Sequence, residues 1–582
     1  MSQTRFKDKV IFMCGVFFAY DKNLDIEKAK KSLDLMYHRG PDGYRSIQGS
    51  NYFLGHRRLS IIDTSDRGFQ PFVSEDEKTE VAVNGEIYNY KEIRGELEEC
   101  GAKFSSQSDS EVILHAYCHW GVDRMLEKID GMYGVVIHDR ESGKIVFFID
   151  RYGVKPLFYQ VDGACSKVIV SSEIASLKNY SSDLVVDETA IFDYLVYRYV
   201  PYPKSIYVNV FKASPGQVVE INLSTFDVNK RFYWEMSNEK ASINVDENKS
   251  TIERLIRDSM ELQVVSDVPL GFYLSGGVDS SCLLCSAREL NLDPRAISLD
   301  FVGSEKSERD FVDEFCDKLD HNNLDIMTIE PQDTNHVLGE IVKKMGEPIG
   351  DDSVIPTYLL NKKAKDKVTV AIGGDGGDEL FCGYSRYKIL APGVTAGKLL
   401  FLAKHYIKHF RSKFLCAFRY DERWERYTHL LGGMPASKVY RDYRNLFPNL
   451  ESNYDPYWHY KRHYEKSDGV KDYMRLDFKT FLPGLIFCKV DFASMLNSVE
   501  VRVPFMDRTI VEYAFSRYDE KSKRDYGTKT LLVEYLYRKT GLDFTKRKKR
   551  GFGLPGPKYY QDGNSENVFH VRVLKDWLEY NV

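Results

Sequence analysis

The 582-residue chain has no apolar run near the roughly 18 residues that a bilayer-spanning helix needs, so no transmembrane segment and no membrane partner are expected. Cysteine is scarce. The ten present are scattered and lack paired metal spacing, which excludes a disulfide scaffold and makes a reducing cytoplasm the expected compartment. One C-x-x-C occurs, Cys282 and Cys285, in an apolar helical stretch where i and i+3 share a face, and it reads as core packing. An excess of one charge is also missing. A net charge of -5 with 29% charged and 43% hydrophobic residues describes an ordinary globular chain and excludes a polyanion-binding surface as its main business, so no nucleic-acid partner is expected. There is no internal repeat and no low-complexity tract.

The first conspicuous stretch is KVIFMCGVFFAY, from Lys9 to Tyr20, behind Arg5 and Lys7. A basic leader before a short apolar core has the form of a secretory signal. No small-x-small cleavage site follows, however, and the run passes directly into Tyr20, Asp21, Lys22 and Asn23. A strand buried on both faces gives the same continuous pattern, and a strand is the reading taken from the stretch alone.

Up to about Lys212 short apolar runs alternate with turns, as in YFLGHRRLSIID, VAVNGEIYNY, MYGVVIHDR and KIVFFIDRYG. That is the pattern of a strand-rich layered domain. NYKEIRGELEECG and SEVILHAYCHWG are its clearest helices, and NVFKASPGQVVEINLSTFDVNKRFYW reads as the strands that close it. The polar stretch MSNEKASINVDENKS follows as a linker. Beyond Thr251 strands and helices alternate: IERLIRDSMELQVV, then PLGFYLSGG, SSCLLCSARELN, RAISLDFVG and KVTVAIGGDGGDE. This alternation predicts a parallel sheet covered on both faces. The aromatic, basic segment from about Tyr387 to Tyr473 reads as helical.

FYLSGGVDSS places Ser275, Gly276 and Gly277 between a buried strand and a helix start. Successive backbone N–H groups there form an anion nest, to which the helix dipole adds. The Gly-Lys-Ser/Thr ending of a Walker loop is absent. Asp279, on the first helical turn, and Asp378, in GGDGGDE, are carboxylates able to hold magnesium against a triphosphate. The structural alternative is a dipole-favoured helix start and a flexible loop. Their corresponding positions at two strand ends favour a nucleotide site above the sheet.

Ser-Gly-Gly-x-Asp-Ser resembles the signature of the ATP-pyrophosphatases. GGDGGDELFCGY, GEPIGDDSVIPTYLL, KVDFASMLNSVEVRVPFMD and RKKRGFGLP narrow the resemblance to the glutamine-hydrolysing asparagine synthetases, over nearly the whole chain. The resemblance implies ATP contacts at Leu274, Ser275, Gly276, Gly277, Asp279, Ser280, Leu299, Gly373 and Gly374. Asp375 falls on the acidic residue associated with forming the β-aspartyl-adenylate, and Lys549 on the lysine that balances charge on the activated intermediate. Three positions depart from the pattern: Gly373 replaces serine and Cys382 replaces glycine, both read as conservative, while Phe492 replaces an arginine after Asp491 and removes a cation.

The same resemblance implies an N-terminal-nucleophile glutaminase in the first half. Met13-Cys14-Gly15 supplies its Cys-Gly start. A terminal cysteine has its own α-amine, with a pKa of about 7.7 to 8.0, as base for the thiol, and an internal Cys14 has none. The active protein is therefore expected to begin at Cys14, with residues 1–13 a leader or alternative-start extension. Asn84 and Gly85 match the oxyanion donors, Glu86 and Asp109 the pair that recognises the glutamine α-ammonium, and Arg58 the guanidinium that clamps its α-carboxylate. His38, in HRGPDG, is read as structural, and DRYGVKPLFY as supporting the fold and the passage between sites.

The expected fold class is a layered α+β glutaminase domain, with β-sheets sandwiched by helices, plus an α/β parallel-sheet adenylating domain with a helical C-terminal part. The expected boundaries are 14–235 for the class II glutamine amidotransferase domain, 236–250 for the linker and 251–582 for the ATP-pyrophosphatase domain. The implied activity is ATP- and glutamine-dependent amidation of aspartate, with ATP as co-substrate and magnesium as cofactor. Two alternatives stand beside it: the same mechanism acting on a sugar uronic acid or another carboxylate, and a regulator with a blocked Cys14 that makes no use of glutamine. The partners are small molecules, glutamine, aspartate and ATP, and a homodimer is left open.

Overall fold

The computed structural model describes residues 14–40, 42–236, 250–304, 307–390, 422–431, 433–466, 469–517, 529–546, 551–555, 559 and 566–582. The leader with Met13, most of the linker, and Lys549 lie outside the described residues. The first half contributes strands β1 (Gly15–Asp21), β2 (Gly43–Gln48), β3 (Tyr52–Arg58), β4 (Phe72–Val73), β5 (Thr79–Ile87) and β6 (Gly131–Asp139). They are followed by β7 (Lys144–Ile149), β8 (Phe158–Asp162), β9 (Lys167–Ser171), β10 (Val210–Lys212), β11 (Gln217–Asn222) and β12 (Val228–Phe232). Two six-stranded sheets result, in the orders β10-β8-β9-β1-β3-β2 and β12-β11-β7-β6-β5-β4. All their pairings are antiparallel.

Alternation along β1 explains why its sequence is apolar throughout. Val16 and Phe18 face the second sheet and pack in one cluster with Ala82, Val136 and Phe147. Phe17 and Ala19 point the other way, onto Ala29 and Leu33 of the helix Ile26–Asp34. Successive side chains of a strand take opposite faces, so a central strand between two apolar layers has no polar position. The outer face of the second sheet carries the helices Tyr90–Glu99 and Glu111–Lys128 through Val83, Val135, Ile93 and Val112. The half is thus a helix–sheet–sheet–helix stack, as expected. Glu111–Lys128 breaks at Gly121, where SEVILHAYCHWG ends and whose φ of 72° and ψ of 174° no helix interior accommodates.

The second half is built on β13 (Leu270–Tyr273), β14 (Arg295–Phe301), β15 (Leu324–Ile329), β16 (Val370–Ile372) and β17 (Glu500–Arg502). They form one sheet in the order β15-β14-β13-β16-β17, parallel at every pairing. The order reverses between β13 and β16, and in open parallel sheets ligands bind at that crevice, outside the carboxyl ends of the strands. Both glycine turns singled out in the sequence follow these two adjacent strands. Helices follow β13 (Val278–Glu289) and dominate the C-terminal part, including Arg423–Leu430, Ala436–Tyr443, Val470–Lys479 and Cys488–Met495. Cys282 and Cys285 are buried core residues, as their spacing indicated. Strand β17 was not read as a strand in the sequence, because three buried residues in an edge position carry no period of their own.

Among the described residues no helix is long and apolar enough to cross a membrane. The two halves meet closely. Ser498 donates to His38 O at 2.7 Å, Asp267 N donates to Ile61 O at 3.0 Å, and Leu59, Ile61 and Ile62 share a cluster with Val370 and Met495.

Candidate active sites

Cys14 stands immediately before β1, in extension of the register that pairs Gly15 with Arg57, which brings it beside Arg58 and Leu59. Its thiol lies 3.7 Å from Leu59 O, and burial pushes it up to about 12 despite the nearby Arg58. A thiol this reluctant to ionise needs a proton acceptor of its own. Its carbonyl accepts from Arg39 Nε at 3.1 Å. The Arg39 guanidinium also donates to Glu173 at 3.1 Å and to both oxygens of Asp491, at 3.1 and 2.9 Å. Asp491 belongs to the second half and takes Lys155 Nζ at 3.2 Å as well. A buried ionic junction therefore links the Cys14 backbone to helix Cys488–Met495. Arg39 was not singled out in the sequence. HRGPDG offers no local pattern to mark it, and His38 beside it is bonded to Glu173 at 2.8 Å.

Asn84 and Gly85 lie on β5, opposite Gly134 and Tyr133. Asn84 is buried, and neither its Nδ2 nor its Oδ1 has a hydrogen-bond partner, so its amide is left for a ligand. Gly85 has φ of 136°, and a Cβ there would fall 2.0 Å from Met132 O, which only glycine avoids. Glu86 and Asp109 are buried carboxyls. Burial, then Asp109 and Glu500, hold Glu86 well above the usual carboxylate range, while burial pushes Asp109 up to about 6 against the hydrogen bond from Ile87 N. An incoming ammonium would favour the charged form of both. Arg58 stacks on Phe69 at 5.0 Å and gives its two terminal nitrogens to Ser65 O and Asp63 O. Those bonds fix the side chain, and a carboxylate clamp would share or replace them.

In the second half Gly276 has φ of 62° and Ser280 Oγ accepts from Ser275 N at 3.2 Å, which shapes the turn before helix Val278–Glu289. Leu274 N donates to Ile297 O and so continues the pairing of β13 with β14, which carries Leu299. The turn after β16 comes close. A Cβ on Gly374 would meet Asp279 Cβ at 3.0 Å, and one on Gly377 would meet the Asp279 carboxyl at 2.6 Å. A Cβ on Gly373 would meet Val501 at 3.0 Å and the Asp375 carboxylate at 3.2 Å, so a larger residue there would press on β17 and on its own turn. Asp279 and Asp378 converge on one cationic atom: Lys529 Nζ pairs with Asp279 and lies 2.6 Å from Asp378. Lys529 is buried, 6% exposed, and its two carboxylates hold it well above its usual value despite burial. Two hard oxygen donors meeting at one cation position fit the donor chemistry of magnesium, which Asp279 and Asp378 would hold. Lys529 had no signal in the sequence, being 250 residues from Asp279.

Asp375 is buried, and burial with the neighbouring Asp378 raises it, while Lys489 opposes the rise. Lys489 Nζ donates to Ser353 at 2.9 Å and also holds Asp351 low, with Arg198. GEPIGDDS thus supplies a polar wall to the crevice. Gly553 lies against it, since a Cβ there would fall 2.9 Å from Asp352 Oδ1. One departure from the family pattern takes a different meaning from that expected. Cys382 sits at φ of 55°, a left-handed conformation that costs a non-glycine residue about 1–2 kcal/mol, so its replacement of glycine is not conservative. Phe492 packs against the main core, and the cations around Asp491 come instead from Arg39 and Lys155.

Residues 13–234 match the model of the glutamine amidotransferase domain, and residues 251–575 match that of asparagine synthase. The chain is 31% identical over 580 residues to asparagine synthetase [glutamine-hydrolyzing] 1 of Bacillus subtilis, covering 96% of this chain and 90% of that protein. It is 33% identical over 402 residues to putative asparagine synthetase [glutamine-hydrolyzing] 2 of Methanocaldococcus jannaschii, covering 64% and 76%. It is 28% identical over 519 residues to the putative asparagine synthetase [glutamine-hydrolyzing] of Mycobacterium bovis, covering 82% and 76%.

Proposed function

Because this chain belongs to the glutamine-hydrolysing asparagine synthetase family, we propose that it amidates aspartate with nitrogen from glutamine, converting ATP to AMP and pyrophosphate. The observation that carries the reading is the convergence of Asp279 and Asp378 at two adjacent glycine turns. In the same chain Asn84 keeps an unpartnered amide on the glutaminase strand.

In the first half the Cys14 thiolate attacks the glutamine carboxamide, and its α-amine, once residues 1–13 are gone, takes the thiol proton and returns it to the leaving ammonia. Asn84 Nδ2 and the Gly85 N–H face the oxyanion. Glu86 and Asp109 hold the substrate ammonium, and Arg58 its carboxylate. Water then hydrolyses the γ-glutamyl thioester, releasing glutamate.

In the second half the turns Leu274–Ser280 and Gly373–Gly374 hold the nucleotide, with Leu299 beside it. Asp279 and Asp378 would hold magnesium, which when bound neutralises phosphate charge. The aspartate carboxylate attacks the α-phosphorus, pyrophosphate leaves, and ammonia displaces AMP from the acyl-adenylate. Asp375 orients the ammonia or takes its proton. The family resemblance gives Lys549 to the anionic adduct. Sequestering ammonia between the sites keeps it unprotonated.

The test is a pyrophosphate-release screen with aspartate and with sugar uronic acids as acceptors, followed by identification of the product labelled from [amide-15N]glutamine. Aspartate-driven release with labelled asparagine supports the reading. Release with a uronic acid and none with aspartate keeps the mechanism and changes the acceptor.

A further inference from the structure

Strand β17 puts one residue in contact with both halves. Arg502 is paired with Ile372 at the end of β16, and its carbonyl accepts from Gly373 N at 2.8 Å, the first residue of the nucleotide turn. Its side chain runs the opposite way. Nε donates to Glu500 at 2.7 Å and Nη1 to Gln263 O and Val265 O, each at 2.7 Å, so three bonds fix the guanidinium plane on the second half. The remaining nitrogen, Nη2, is buried without a hydrogen-bond partner and stands 3.4 Å from Glu86 Oε1, on the strand that carries Asn84 and Gly85. Arg502 is 1% exposed.

A guanidinium fixed by three bonds through two of its nitrogens, with its third nitrogen directed at a buried carboxylate, is built to act on that carboxylate. Charged groups of both signs surround Glu86, and those of its own sign act more strongly. Asp109 precedes helix Glu111–Lys128, and Glu500 is on β17; both push Glu86 toward its neutral form. Arg502 and Lys155, from the turn after β7, oppose them, and Tyr88, Tyr90 and Cys14 are the other titratable neighbours. A neutral Glu86 cannot hold an ammonium by charge. Resting on the glutamine-dependent function above, we propose that Arg502 is a positioning residue: it favours the charged form of Glu86 and seats that carboxylate for the α-ammonium of glutamine, and through Gly373 it makes that seat sensitive to nucleotide. A shift of the Gly373 turn on nucleotide binding moves the Arg502 backbone, and a few tenths of an ångström decide whether Nη2 closes on Glu86.

The experiment measures KM and kcat for glutamine hydrolysis from pH 5.5 to 8.5, with and without ATP, for the wild type and for Arg502→Met, Arg502→Lys and Glu500→Gln. Loss of a charge at this distance shifts a carboxyl by about one to two pH units. Arg502→Met is expected to move the acid-side rise in KM upward by about that much, to raise KM at pH 7 by roughly tenfold with a smaller change in kcat, and to abolish any ATP effect on KM. Arg502→Lys should restore part of the shift. Glu500→Gln keeps a hydrogen-bond partner for Nε and removes a like charge, so its profile should move downward, and it tests the idea even where Arg502→Met folds poorly in a thermal melt. Profiles that stay at the wild-type position in all three variants overturn the proposal, and a wild-type KM indifferent to ATP overturns its nucleotide clause. A wild type that hydrolyses no glutamine at any pH overturns the functional reading itself, and the inference with it.

Discussion

Lys529 Nζ lies 2.6 Å from Asp378 Oδ1 while also pairing with Asp279, so a single buried ammonium answers two carboxylates from adjacent strand ends. Removing one partner of a buried ion pair typically costs about 3–5 kcal/mol, because the remaining charges stay buried. Lys529→Met is therefore expected to melt well below the wild type in EDTA. Added magnesium should then raise the melting temperature of the variant more than that of the wild type, since it can take the position the ammonium has left. Equal magnesium shifts in both proteins would show that the two carboxylates do not share one cation position.

The parts of this arrangement that were legible in the sequence are those encoded locally. The Ser275–Gly277 turn and the Gly373–Gly377 turn follow apolar strands, and the run through Val16–Ala19 has no polar gap because β1 is covered on both faces. Asn84 and Gly85 could be named because they sit in a short motif of a recognised family. The cations that connect the sites could not. Arg39 reaches Asp491 across 452 residues and Lys529 reaches Asp279 across 250, and neither stands in a stretch whose composition or period marks it. β17 escaped notice for the same reason, since its three residues are held by β16 rather than by their own propensity. Charge pairing across a fold is a property of tertiary contact, and a linear pattern carries no trace of it.

Cys14 is predicted to separate the two nitrogen sources. Its thiol is driven up to about 12 by burial, so without an α-amine as base almost none is ionised at neutral pH. Cys14→Ala should abolish glutamine-dependent synthesis and leave ammonia-dependent pyrophosphate release in place. Intact-mass analysis of active protein should find Cys14 at the amino terminus. Full glutaminase activity in protein that still carries residues 1–13 would rule out the α-amine as base.

Acid pH should act on glutamine binding before it acts on chemistry. Burial pushes Asp109 up to about 6, and burial with the company of Asp109 and Glu500 raises Glu86 as well. Both carboxyls bind protons more tightly in the folded than in the unfolded chain. Their ionisation therefore opposes folding, and their contribution to stability falls as pH rises through the Asp109 value. A bound α-ammonium reverses that sign by favouring the charged forms. KM for glutamine should thus climb as pH drops below about 6, by up to about tenfold per unit for one required ionisation. Asp109→Asn should flatten the part of that rise due to Asp109, at the cost of weaker binding at neutral pH. A KM that is constant from pH 5 to 8 would remove Asp109 from the ammonium site.

Asp491 should matter to the glutaminase although it belongs to the other half. Its two oxygens accept from Arg39 Nη2, its Oδ1 takes Lys155 as well, and Arg39 Nε in turn holds the Cys14 carbonyl. Asp491→Asn removes the anion that Arg39 and Lys155 share and one of its two acceptor oxygens, leaving Glu173 as the carboxylate on Arg39, with a cost approaching the roughly 3–5 kcal/mol of a broken buried pair. Arg39 then loses the anchor that sets its position, and misplacing a nucleophile by even a fraction of an ångström lowers turnover by about ten- to a hundredfold. Because both effects pass through one junction, Arg39→Gln and Asp491→Asn combined should cost less than the sum of the two single changes. A coupling energy of about 1 kcal/mol or more in unfolding, together with a matching non-additivity in kcat for glutamine hydrolysis, is the expected double-mutant result. Strict additivity in both measurements would mean that Arg39 and Asp491 stabilise their own halves independently, and that the nucleophile is held by β1 and β3 alone.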